Sequence, residues 1–369
     1  MEKEAVTFTR NDTKVIKAIA IVLMFIHHLF FFPERIAEDI TYIPLFSFGG
    51  NTIEYLIGQF GKICVMLFVF LSGYGTFWVC KDQSMRKISK VIAQKCKKLY
   101  FVYWQVFLIF IPICLLAGAE TVPLDFEQFL WNFSGLKITY NGEWWFFTPF
   151  VVLLVAFPLI YRLSEKFQNV FTEFVTICAV NTFVVFVLPK LTKYQWGASL
   201  SNSLVYDLFV QGMRLLPGFL MGCMFAKHDL LSKIKRKFSG NILWCAVSLM
   251  LLFAVFYMRR KTNDNYDFVY APLFTASVAV LLNNQAGAVI KRPLLWIGNE
   301  STIMWLTHSF YCYILCQRLI YLPRFAPLIV LWLLLISFVT AKAIKMIYKY
   351  LGKGYLKIQK IFIIKSKEL

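Results

Sequence analysis

The sequence predicts an all-α, polytopic membrane protein of about ten transmembrane helices, with its N-terminus and C-terminus cytoplasmic. Three observations predict it. Apolar runs of about 20 residues, the length that crosses a hydrocarbon core, recur along the whole of the 369 residues. Hydrophobic residues make up 59% of the chain and charged ones only 16%, against roughly a quarter in soluble domains, and the mean hydropathy is +0.62. That excludes a soluble enzyme, a disordered chain, a coiled coil and a repeat solenoid. Finally, the Lys and Arg residues are unevenly shared between alternate loops, as cytoplasmic and outer loops of membrane proteins require.

The expected spans are 15–32, 53–80, 99–117, 144–161, 169–188, 205–226, 241–257, 268–284, 293–315 and 326–341. Each is continuously apolar rather than alternating, so helix is the fitting element, and lipid demands that backbone polar groups pair within the segment. The run 15–32 lacks a small-residue cleavage site and reads as an anchor rather than a removed leader. After 53–80 comes a loop, 81–98, with seven Lys/Arg and one Asp. The next outer loop, before 144–161, is acidic, with Glu120, Asp125, Glu127 and Glu143. If the N-terminus is inside, the inner segments hold 27 Lys/Arg, the outer loops 9 and the spans 3. One triplet breaks the pattern: Arg259-Arg260-Lys261 falls outside and puts the path between 241 and 284 in question. The net charge of +19 is thus mostly topological, set beside anionic membrane lipids, and gives no support to nucleic-acid binding. The expected organisation is a membrane domain over 1–341 and a basic cytoplasmic tail over 342–369, with no separate soluble domain.

Nine Cys lie in or beside spans without a Cys-x-x-Cys, and read as free thiols acting as small hydrophobes. Four His without a ligand cluster argue against a metal site.

Ionisable residues inside spans are costly and therefore candidates for function. They are Lys17, His27, His28, Glu54, Lys62, Glu173, Asp207, Arg214, Glu300 and His308. Lys17 and His28 stand out as a pair. Eleven residues at about 100° each return to within about 20° of the same helix face and rise about 16 Å. A cation near the cytoplasmic edge and an imidazole deeper in the membrane suit a reaction that draws reagents from both sides. His27 points about 100° away and reads as a bystander. His308, on a span running inside to outside, lies at a depth similar to His28 and is expected at the same site. Taken singly, Lys17 also reads as a snorkelling anchor and either His as a packed residue. The basic loop offers Lys95, Lys97 and Lys98 to a polyanion at the cytosolic face.

Several stretches resemble the acyltransferase-3 family of integral-membrane acyltransferases, which modify bacterial cell-surface glycans. The segment from Lys17 to His28 resembles the family's opening signature, a basic residue and a His separated by ten others, with Lys here for the commoner Arg. Ser72-Gly73-Tyr74 is similar to its aromatic-x-x-Ser-Gly-aromatic element. Lys95-Cys96-Lys97-Lys98 resembles its Arg-x-x-Arg element, with Lys for Arg. Glu143-Trp144-Trp145 is similar to its tryptophan-containing span start, and Gly298-Asn299-Glu300-Ser301 through His308 resembles its late Gly-x-x-Ser…Leu-x-His segment.

The resemblance implies transfer of an acyl group, usually acetyl, from cytosolic acetyl-CoA to a hydroxyl of a glycan or lipid-linked sugar at the bacterial cytoplasmic membrane. Lys17, Lys95, Lys97 and Lys98 would then face the CoA phosphates. His28 would either take the hydroxyl proton or carry the acyl group itself. His308 would orient the acceptor or stabilise the oxyanion. Glu143, Trp144 and Trp145 would meet the sugar, although two adjacent Trp at a span start are also an ordinary interfacial belt. Two other readings compete: an exporter of glycans or lipid-linked sugars, and a non-catalytic subunit of a glycan-assembly machine.

Overall fold

The computed structural model describes residues 6–191 and 203–365. Helices dominate. The one sheet among the described residues is a two-stranded hairpin, Ser47–Phe48 against Asn51–Thr52. Among the described residues, eight helical segments are long and apolar enough to cross a membrane: Arg10–Phe30, Ile53–Cys80, Met85–Leu116, Gly142–Ser164, Val170–Lys190, Leu204–Lys227, Ile242–Thr262 and Ala326–Leu351. The two other expected spans are helical as well. Asp267–Leu281 is apolar but only 15 residues long. Gln285–Ser309 has 25 residues and carries Lys291, Arg292 and Glu300 within them.

Helix α1 (Arg10–Phe30) starts where a capping box forms. The Thr9 amide donates to Asp12 Oδ2 at 2.8 Å and the Asp12 amide donates to Thr9 Oγ1 at 3.2 Å, satisfying amides that have no partner within the helix. The second span is two helices, α2 (Ile53–Gly61) and α3 (Ile63–Cys80), joined at Lys62. Then follow α4 (Met85–Leu116), a short α5 (Phe126–Ser134), α6 (Phe147–Ser164) and α7 (Val170–Thr182). A π turn, Phe183–Val187, continues α7 into α8 (Leu188–Leu191). Next come α9 (Leu204–Lys227) and α10 (Leu230–Phe238), an amphipathic helix whose charged residues include Lys233, Arg236 and Lys237. They are followed by α11 (Ile242–Thr262), α12 (Asp267–Leu281), α13 (Gln285–Ser309), α14 (Gln317–Tyr321) and α15 (Ala326–Lys365). α15 runs through the expected boundary at 341 without a break. Just beyond it, Lys342 and Lys345 reach back to Glu300 of α13 at 2.7 and 2.6 Å.

α1 is the hub, packed on α2, α3, α13 and α15. The tightest crossing is α3 on α9, and glycine permits it. A Cβ on Gly73 would stand 2.1 Å from the Phe219 carbonyl oxygen, and one on Gly222 2.1 Å from that of Phe70. Gly298 plays the same part between α13 and α1, where a Cβ would meet the Lys14 carbonyl at 2.1 Å. Two of the motif glycines in the sequence are therefore backbone-approach positions, of the kind that lets membrane helices pack closely. Backbone cannot step aside as a rotamer can. Gly222→Leu is expected to lose about 3 kcal/mol or more through overpacking, read as a fall in the melting temperature of the detergent-purified protein.

Contacts between helix ends sort the connections onto two faces. At one face, Asp12 at the start of α1 pairs with Lys235 of α10 at 2.8 Å and Lys291 of α13 at 3.2 Å. The Phe8 amide there donates to Ser232 Oγ. At the other face, Arg35 pairs with Glu143, Asp39 with Arg318, and Ile43 with the Arg324 backbone. This is the alternation that the Lys/Arg distribution predicts for segments 1–14, 227–240 and 285–292. One member of the anomalous triplet also finds its reason. Arg259 is a buried internal cation rather than a loop charge: its guanidinium forks onto Asp267 at 2.8 and 3.0 Å and donates to the Gln59 carbonyl at 2.7 Å.

Candidate active site

His28 sits in the last turn of α1, where the helix meets the π turn Phe310–Ile314 that follows α13. The Tyr313 hydroxyl donates its single proton to the His28 carbonyl at 2.6 Å. The 3.1 Å contact between His28 Nδ1 and the same hydroxyl oxygen is then a bond in which Nδ1–H donates. That fixes the tautomer of the neutral ring and leaves the Nε2 lone pair free. Nε2 faces Glu143 Oε2 at 3.6 Å, too far for a direct hydrogen bond. Glu143 is held from its other side by Arg35, at 2.8 Å to Oε1. Arg35 lies over the Phe32 ring at 4.2 Å, and its own carbonyl accepts from Gln317 Nε2 at 2.7 Å. A Tyr and an imidazole thus face a carboxylate and a guanidinium across a 3.6 Å gap.

His308 stands behind His28. The two ring centroids are 4.7 Å apart, and Phe25 stacks on the far side of His308 at 5.7 Å. His308 Nδ1–H donates to the Trp305 carbonyl at 2.6 Å, while Nε2 is buried without a partner among the described residues. The side chain is fully enclosed. Similar depth in the sequence thus translates into contact, with His308 as a backing residue rather than a wall of the site. His27, the expected bystander, packs edge-on against the His28 ring at 5.1 Å and borders the same cavity, while its Nδ1 donates to the Gly58 carbonyl at 2.7 Å.

A cavity of about 820 Å³ runs along this face of α1. Lys17 lines one end, His28 a point further along, and Arg35, Glu143 and Trp145 the other end. Ser72 of α3 and Ser301 of α13 line it too, each within three residues of a backbone-approach glycine. Between the ends the wall is apolar, with Met24, Met66, Phe68, Phe146 and Phe150. A second polar stretch holds Lys62, Asn181, Gln211, Arg214 and Asp264. Burial alone would raise the Asp264 carboxyl, but the Lys62 ammonium 2.7 Å away outweighs it and holds the group below its usual range.

The expected lysines divide. Lys17 lines the cavity and makes no ion pair with any described residue. Lys95 is close by but donates to Thr76 Oγ1 at 2.7 Å, and Lys97 and Lys98 are exposed on α4. The two tryptophans divide as well. Trp145 faces the cavity. Trp144 is wholly buried: its Nε1–H donates to the Leu306 carbonyl at 2.9 Å, and Tyr103 and Phe310 cover its ring. No ligand reaches it in this arrangement. It ties the start of the α6 span to α13 instead.

The model of the acyltransferase-3 family, described as an acyltransferase domain, matches residues 11–344. The chain belongs to that family. No curated protein and no solved structure matches it at significance. The family assignment supplies a reaction class, acyl transfer, for a geometry in which an imidazole with a fixed tautomer stands on the wall of a cavity inside a multi-pass membrane protein. Among the described residues no group of His, Cys, Asp and Glu is arranged to hold a metal ion. Two residues of the candidate site, Arg35 and Tyr313, are not among those that the sequence singles out. Arg35 is the single Lys/Arg of residues 33–52 and lies seven residues, two helical turns, beyond His28, which was a usable signal. Tyr313 had none, because the π turn resets the angular phase after His308.

Proposed function

We propose that this acyltransferase moves an acetyl group from cytosolic acetyl-CoA to a hydroxyl of a cell-surface or lipid-linked glycan, from the bacterial cytoplasmic membrane, with ten spans and both termini inside. The observation that carries the reading is His28 Nε2, unprotonated by its tautomer and facing a cavity that has a free cation at one end and the Arg35–Glu143 pair at the other.

The acceptor hydroxyl enters from the Glu143 end and places its proton on His28 Nε2 while its oxygen attacks the thioester carbonyl. The new imidazolium is stabilised by Glu143, which the 3.6 Å gap allows to draw in as charge forms. The tetrahedral intermediate collapses to the ester, the C–S bond breaks, and His28 returns the proton to the leaving thiolate. Tyr313 keeps Nδ1 as the donor throughout, and His308 backs the ring. Lys17 holds CoA phosphate at the cytosolic end, with Lys95, Lys97 and Lys98 enriching the field there. Trp145 offers the acceptor sugar an apolar face.

The direct test uses inverted membrane vesicles, which expose the cytosolic face, and acetyl-CoA labelled in the acetyl group. Label is expected in endogenous glycan or lipid-linked sugar. Vesicles that hold the folded protein but neither transfer label nor bind acetyl-CoA overturn the reading in favour of an exporter. Lys17→Ala is expected to raise the KM for acetyl-CoA about tenfold, the loss of one charge-assisted contact, with kcat little changed. An unchanged KM makes Lys17 an anchor only.

A further inference from the structure

The cavity is lined by four cations, and two of them are spoken for. Arg35 pairs with Glu143 at 2.8 Å and Lys62 with Asp264 at 2.7 Å. Lys17 and Arg214 have no ion pair or hydrogen bond among the described residues. Lys17 has a use in the reaction proposed above, and Arg214 has none. Arg214 lies ten residues into the span α9, where an unpaired guanidinium is costly unless it faces water or a ligand.

Its position follows from the glycine crossing. α3 and α9 run in the same direction, with Gly218 opposite Met66 and Gly222 opposite Phe70. One turn back, Arg214 stands level with Lys62, well toward the His28 end of the cavity. Gln211, one turn away on the same face, and Asn181 of α7 add amide groups. The neighbouring wall is apolar: Val184 and Val185 of the π turn, Leu215 and Phe268. Behind that wall Phe183, Phe186 and Val187 face outward from the bundle, so a single helix separates Arg214 from the surrounding bilayer.

We infer that Arg214 anchors a phosphate group of the acceptor, so that the acceptor is a sugar joined through phosphate to a lipid chain. The inference rests on the acyl-transfer reading for the identity of the acceptor, but not for the binding itself. A guanidinium recognises phosphate through paired N–H donors. A cation flanked by an apolar wall fits a phosphate flanked by hydrocarbon. The sugar hydroxyl is then presented toward His28, while the donor phosphates occupy the separate, Lys17 end.

Binding of two probes to the full chain in lipid nanodiscs, by calorimetry, tests this without requiring transfer. The probes are citronellyl diphosphate and inorganic pyrophosphate. Citronellyl diphosphate is expected to bind wild type, with Arg214→Gln weakening it at least tenfold and Arg214→Lys less. Arg236→Gln, which removes an exposed cation from α10, is expected to leave it unchanged. A thermal melt close to that of wild type certifies that the Arg214 variants are folded. Pyrophosphate binding as tightly as the lipid probe upholds a phosphate site but assigns it to a free phosphate. Unchanged binding in Arg214→Gln overturns the inference, as does an equal loss of CoA affinity, which would give Arg214 to the donor. Arg214-dependent binding in a protein that transfers no acetyl group leaves the phosphate site standing and removes the catalytic reading.

Discussion

His28→Ala is expected to lower acetyl transfer by about two to four orders of magnitude, the usual contribution of a positioned general base, while the protein still inserts and melts close to wild type. The ring is held by its neighbours more than it holds them. Tyr313 still donates to the residue 28 carbonyl, and the Arg35–Glu143 pair does not depend on the imidazole. The measurement is turnover of labelled acetyl-CoA by the purified variant, alongside its thermal melt. Full acceptor modification by a well-folded His28→Ala protein would sink the mechanism. A variant that fails to melt cooperatively is replaced by His28→Gln, which keeps a side-chain donor near Tyr313.

The second large effect belongs to stability. Arg259→Ala is expected to cost about 3–5 kcal/mol, because it strands the buried Asp267 carboxylate without its partner. Arg259 also donates to the Gln59 carbonyl at 2.7 Å, so the variant loosens the α2–α11 contact as well as the α11–α12 turn. The double variant Arg259→Ala with Asp267→Ala is expected to recover a substantial part of the loss, since no lone charge is left behind. Melting temperatures of the two single variants and the double variant in one detergent read the coupling directly. Additive losses in the double variant would mean that the pair is not a unit.

The sequence made the helical membrane architecture plain because hydropathy over about 20 residues is a sum over many side chains and tolerates local error. It placed Lys17 and His28 on one wall because helix geometry over eleven residues is regular. It could not separate Trp144 from Trp145, since adjacent residues on a tightly turned segment point into different surroundings, here a sealed aromatic cluster and an open cavity. Nor could it see that Arg259 leaves the loop and turns inward to Asp267. Hydropathy counts a charge wherever it falls, whereas the pairing depends on the chain doubling back eight residues later. α12 is short for a span and α13 carries charge for a related reason. α12 is buried among neighbours rather than lipid, and Glu300 of α13 is neutralised by Lys342 and Lys345.

The apolar collar of Met24, Met66, Phe68, Phe146 and Phe150 between the two polar ends of the cavity bears on the cell's energy supply. A lumen wetted from both faces would let protons pass by hopping along water, and would drain the gradient that the membrane exists to hold. The collar gives water no hydrogen-bond partner and so disfavours an unbroken file of it, although Lys62, Gln211 and Arg214 line the same cavity. On the acyl-transfer reading proposed above, the thioester would cross the cavity along this apolar surface, and its entry would displace the water gathered there.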